Sequence, residues 1–190
     1  MHALAVAVLT LESLLARGPV VSVESDGAGR FEAAVAYVEV EAPPEKVWAV
    51  LTDYAKYKEF VPRVVESDAY EAEGGVRVKW EIDSPGMNTK YTVQYAVDPQ
   101  ARVIDGKQVD GDLRGSRWRW ELTEPAPGRT RLRLVSKARN FSRVLDALED
   151  EAQTMTAGLN VGAAITLLRA LKKRCESASA VPDPAAGPSR

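Results

Sequence analysis

A single cysteine, Cys175, and a single histidine, His2, are the scarcest chemistry in this chain of 190 residues. One cysteine excludes an intrachain disulfide, and one histidine excludes both a histidine-rich metal site and a Ser-His-Asp triad. An excess of one charge sign is also lacking. The net charge is −2, so no global basic field draws the chain to nucleic acid, and such a partner is disfavoured. The N-terminal apolar run, Ala3 to Leu11, ends at Glu12 and is too short to span a bilayer. A secretory signal would carry a positive segment ahead of that run and small residues at both ends of its cleavage box. Here the first is missing and Leu14 precedes Ala16. A cytoplasmic location is therefore preferred to export, and residues 1–18 are read as a frayed or amphipathic segment, with a signal as the alternative.

What is present changes character most sharply between Phe31 and Pro62. Tyr37, Val38, Val40 and their small neighbours favour an extended chain, and Pro43-Pro44 ends it because Pro43 cannot donate to a ladder. Pro44 suits the first position of a helix, where its missing N–H costs nothing. Val47, Leu51 and Tyr54 then recur at i, i+4 and i+7 with Trp48 beside them, which predicts a helix with one apolar face. Asp53 is placed to cap a second short helix, Tyr54 to Phe60, that stops before Pro62.

Ahead of this region, Val20 to Val23 and Phe31 to Val40 flank the turn sequence DGAG, a predicted β-hairpin. After it, residues alternate. Val76, Val78, Trp80 and Ile82 oppose Arg77, Lys79, Glu81 and Asp83; Tyr91, Val93 and Tyr95 repeat the pattern; Trp118, Trp120 and Leu122 oppose Arg117, Arg119 and Glu121. With Val64 to Glu71, Arg102 to Val109 and Thr130 to Ala138, this predicts six strands in an antiparallel meander. A helix is predicted from about Asn140 to Cys175. Its apolar stripe changes register between Met155 and Val161, where Gly158 and Gly162 lie, predicting a kink or two helices in succession, the second gripping the sheet. Residues 176–190 are Pro, Ala and Ser with little to bury, and read as a disordered tail; residues 19–175 read as one domain.

The segment VEVEAPPEKVWAVLTDYAKYKEFVP resembles the opening of the START-like superfamily, also called SRPBCC or birch-pollen-allergen-like, and most of all its polyketide cyclase/dehydrase and coenzyme Q-binding branch. The resemblance implies an α+β helix-grip fold: a curved antiparallel sheet of β-α-α-β6 order closed by a long C-terminal helix, here with an extra N-terminal hairpin strand. It implies a hydrophobic cavity between sheet and helix. With histidine so scarce, the iron-dependent ring-hydroxylase branch is excluded, and neither cofactor nor metal is expected. Asp110 and Asp112 match a calcium loop only loosely, because the remaining ligand spacing is missing.

Alternation and the implied fold together name a cavity wall of Trp80, Ile82, Tyr91, Val93, Tyr95, Trp118, Trp120 and Leu122. The rim is expected from Tyr54, Tyr57, Phe60, Met87 and Leu113. Inward aromatics on a sheet are core residues first, so ordinary packing stands beside the cavity reading. Arg117, Arg119, Arg129, Arg131 and Arg133 form a basic strip on the wet face, read as solvated before it is read as a site for RNA or lipid headgroups.

Three functions remain open. Binding or transport of a lipid, quinone or polyketide-like molecule needs only an enclosed apolar space, and is favoured, with transient membrane contact allowed. A cyclase or dehydratase needs an inward acid or base, for which Lys90 and Asp112 are the loop-end candidates; no catalytic residue is otherwise assigned. A ribosome- or RNA-associated protein would use the arginine strip. Oligomeric state is left open.

Overall fold

The computed structural model describes residues 10–84, 87–138 and 149–177. Expectations on residues 1–9, on Asn140 as a helix start and on the tail beyond Ser177 fall outside these. A short helix α1 (Leu11–Leu15) precedes β1 (Val20–Ser25) and β2 (Phe31–Val40). Helix α2 (Pro44–Thr52), a single-turn 3₁₀ segment (Tyr54–Lys56) and α3 (Tyr57–Phe60) follow. The six meander strands are β3 (Val64–Ala72), β4 (Gly75–Ile82), β5 (Thr89–Asp98), β6 (Val103–Gly111), β7 (Arg117–Ala126) and β8 (Arg129–Lys137), and the chain's last described element is α4 (Glu149–Ser177).

The strands form one antiparallel sheet in the order β1-β2-β8-β7-β6-β5-β4-β3. This is the α+β helix-grip arrangement: a curved sheet, not a closed barrel, with α4 lying across it chiefly over β2. The core is contiguous. Val38, Val40, Val47, Leu51, Ile104, Leu132, Leu168 and Leu171 are all fully or almost fully buried within it. Strict alternation delivers the strand residues to one face, and the i, i+4 spacing of Val47 and Leu51 turns α2 inward.

Some local details match expectation and others differ. In the first hairpin Asp26 organises the turn, its Oδ1 accepting from the N–H groups of Ala28 (2.9 Å) and Arg30 (3.0 Å), while Gly29 supplies the positive φ. Asp53 does not cap with its side chain; its carboxylate is drawn to Lys56 three residues on, at 2.8 Å, and the helix there splits into a 3₁₀ turn and α3. Trp48 is half-buried and packs at the margin of the core. Helix α4 runs unbroken through Gly158 and Gly162, so two successive helices are ruled out. Its buried stripe is Asn160, Ala164, Leu168, Leu171 and Cys175, whereas Met155 and Leu159 stay exposed.

The end of α4 is tied down rather than frayed. Glu176, placed by sequence in the tail, belongs to the helix, where its Oε1 accepts from the backbone N–H of Glu41 at 2.9 Å and pairs with Lys172 at 2.6 Å. Lys172 in turn donates to the Glu39 carbonyl at 2.8 Å.

Candidate functional site: an aromatic cavity between sheet and helix

A cavity of about 550 Å³ lies between the sheet and α4, within the size range of small-molecule sites. Its deep wall is built from ring pairs. Tyr54 stacks on Tyr95 with centroids 4.6 Å apart and planes 13° apart, Tyr57 meets Trp80 edge-on at 5.3 Å, and Tyr91 stacks on Trp118 at 5.9 Å. Such pairs favour each other beyond the area they bury and hold the rings at fixed angles. Gly106 makes the first pair possible: a Cβ there would meet the Tyr95 ring at 2.8 Å.

The polar groups in this wall are few. Tyr57 Oη donates to the Leu51 carbonyl at 2.8 Å. Among the described residues, buried Tyr54 Oη has no hydrogen-bond partner, and Trp80 Nε1 approaches the Tyr95 hydroxyl but makes no hydrogen bond of good geometry. Burial raises the pKa of Tyr54, Tyr57, Tyr91 and Tyr95 above the usual phenol value. These hydroxyls therefore keep their protons at neutral pH.

Where the helix meets the sheet, Asn160 acts as a clamp. Its Oδ1 accepts from Ser136 Oγ (2.7 Å) and the Ala138 N–H (3.2 Å), and its Nδ2 donates to the carbonyls of Ala138 and Thr156, both at 2.9 Å. On the far side of the mouth, Gln108 fixes the loop that carries Leu113, donating to the Gly111 carbonyl and accepting from the Gly115 N–H.

Of the wall residues expected from sequence, Trp80, Ile82, Tyr91, Tyr95, Trp118 and Trp120 line the cavity, whereas Val93 and Leu122 are buried in the core without lining it. Of the rim residues, Tyr54, Tyr57 and Leu113 line it, the two tyrosines as buried wall rather than rim. Phe60 sits outside, with the Arg174 guanidinium 5.5 Å above its ring, and Met87 is exposed and does not line the space. Sequence reasoning missed Val61, Pro62, Arg63, Asp83, Ser136, Leu159, Asn160 and Leu167, which also line it, as do Gly158 and Gly162. The helix residues among them were marked in the sequence only by the interrupted stripe around Gly158 and Gly162.

The two loop-end candidates for catalysis face elsewhere. Lys90 pairs with Glu81 at 3.0 Å, and Asp112 accepts from the Lys90 N–H at 2.8 Å, both away from the cavity lining. The arginine strip is interlaced with carboxylates: Arg119 with Asp105 and Glu121 (each 2.7 Å), Arg131 with Glu39 (2.6 Å), Arg133 with Glu121 (3.0 Å), and Arg129 with Glu41 (2.9 Å). Its local field is largely cancelled.

The family described as polyketide cyclase / dehydrase and lipid transport matches residues 40–163, more than half of the chain, and the protein belongs to that family. The fold is shared with solved structures of low identity. An aromatase/cyclase, Zhui, from Streptomyces sp. R1128 superposes with a TM-score of 0.70 at 23% identity, covering 79% of this chain and 96% of that one. A protein of Thermus thermophilus gives 0.66 at 20%, covering 78% and 99%. A START superfamily protein from Mycobacterium smegmatis gives 0.61 at 17%, covering 77% and 98%. No curated protein matches the sequence.

Proposed function

We infer that this protein binds and carries a hydrophobic small molecule with a flat or conjugated body, of lipid, quinone or polyketide type, without transforming it. The observation that carries this reading is the cavity of about 550 Å³ whose deep wall is made of stacked and edge-on aromatic rings. Among the described residues, the charged groups on its lining are Arg63 and Asp83, both at the open end, where their side chains are half or more exposed. The interior phenols hold their protons, which suits contact with an apolar ligand better than proton transfer to it.

The test is titration with menadione, with the methyl ester of a conjugated polyene acid, and with a plain non-aromatic detergent. Saturable quenching of tryptophan emission is expected with the first two and little with the third. Trp120→Phe should lower the quenching amplitude while the protein stays folded. A folded protein that none of these quenches would sink the reading.

A second reading, cyclase or dehydratase, is favoured by the family's own description and by the likeness to an aromatase/cyclase. Incubation with short linear poly-β-ketone mimics separates the two. Growth of an aromatic absorption band, lost on filling the cavity, would support turnover; unchanged spectra with retained binding would support carriage.

A further inference from the structure

Three non-glycine residues among those described have φ in the left-handed region: Arg63 (68°), Arg102 (54°) and Leu113 (60°). Two of them, Arg63 and Leu113, line the cavity, and both lie at its open end. L-residues rarely adopt this conformation, and where they do so they cluster at ligand clamps and active sites.

Arg63 stands in the turn Val61-Pro62-Arg63-Val64, closed by a hydrogen bond from the Val64 N–H to the Val61 carbonyl at 3.3 Å. Proline at the second position and positive φ at the third are the signature of a type II turn, whose third position ordinarily takes glycine. Here the position carries a guanidinium instead. The residue is stitched to Asp83 on both sides: the Arg63 carbonyl accepts from the Asp83 N–H at 2.8 Å, and Arg63 Nε donates to the Asp83 carbonyl, also at 2.8 Å. That fixes the plane of the guanidinium and spends one donor. Among the described residues the terminal nitrogens make no hydrogen bond, and the nearer forms only a loose ion pair with the Asp83 carboxylate at 3.7 Å, both groups being more than half exposed. A fork held in place beside an aromatic cavity, with its terminal donors unspent, matches the two oxygens of a carboxylate.

Resting on the carrier reading above, we propose that Arg63 anchors the carboxylate head of an amphipathic ligand whose apolar body lies among Tyr54, Trp80 and Trp120. Asp83 is then a competing counter-ion that the ligand's carboxylate must outbid.

The experiment compares cis-parinaric acid with its methyl ester, which keeps the polyene and removes the charge, by tryptophan quenching. The acid is expected to bind about tenfold tighter than the ester, as a charge-assisted hydrogen-bonded pair implies. Arg63→Gln should remove that advantage and leave the ester unchanged, and Asp83→Asn should tighten the acid a few-fold. Arg63→Gly should lose the acid preference equally, yet melt no lower than the parent, because glycine accepts the left-handed turn without strain. Equal binding of acid and ester to the parent would overturn the proposal while leaving the carrier reading in place, as would an Arg63→Gln variant that weakens both alike. Failure of both probes on folded protein would remove the carrier reading itself.

Discussion

Asn160 Oδ1 accepts a hydrogen bond from Ser136 Oγ at 2.7 Å, joining α4 to the end of β8 at the edge of the cavity. Both residues are buried, and every polar atom of the Asn160 side chain is engaged. Asn160→Leu would leave the Ser136 hydroxyl and both main-chain groups of Ala138 without these partners. The expected cost is about 2 kcal/mol in a urea unfolding experiment, since a stranded buried polar group loses more than its hydrogen bond was worth. Ser136→Ala, which keeps the rest of the clamp, should cost about 1 kcal/mol. A Leu variant as stable as the parent would mean that α4 is held by its apolar stripe alone.

Gly162 faces the cavity from the middle of α4, and a Cβ added there would meet nothing within 4 Å. Glycine is a poor residue in a helix interior, so Gly162→Ala should raise stability by about 0.5–1 kcal/mol. The same methyl group reduces the space for a ligand, and a bulkier Gly162→Leu should reduce it further. Stability rising while quenching by menadione weakens is the expected pattern. Binding that is indifferent to leucine would place the ligand away from α4.

The four cavity tyrosines give the protein an alkaline limit. Burial raises the pKa values of Tyr54, Tyr57, Tyr91 and Tyr95 above the usual 10.0. Because the folded state favours the neutral phenol, their contribution is whole below pH 10.0 and is lost as pH rises through the folded-state values. Phenolate absorbance and circular dichroism followed together should show these tyrosines ionising only as the fold is lost. Four phenols that titrate near their usual value in folded protein would show that the wall is wet.

Much of this was legible because it follows a short period. The meander reads from alternation: a residue such as Trp80, flanked by Lys79 and Glu81, has one face on which to sit. The strand-to-helix change at Pro43-Pro44 is equally local. What escaped depends on packing at a distance. Tyr54 and Tyr57 looked like rim because the meander order puts their helices at the end to which the 84–88 and 109–115 turns return, yet the sheet curves over them and they become wall. Asn160 and Leu167 reach the cavity only through the angle at which α4 crosses β2, which no periodicity encodes. Arg63 was hidden for a different reason: its turn lacks the glycine that would announce it. Phe60, an aromatic in the right segment, lies outside the cavity, packed on Tyr57 and beneath the guanidinium of Arg174 from a helix more than a hundred residues later.

The sheet's strand order leaves it open, with β1 and β3 outermost. Unpaired backbone on an outer strand is a template on which a second chain can add. Here β3 carries Glu66, Asp68 and Glu71, and β1 carries Glu24, all exposed. Two copies meeting edge to edge would set carboxylate against carboxylate, a pairing that costs free energy in every antiparallel register that brings them opposite. Edge-to-edge growth is expected to be disfavoured by the sign of these margins, and variants that neutralise β3 should be the ones that cloud on concentration.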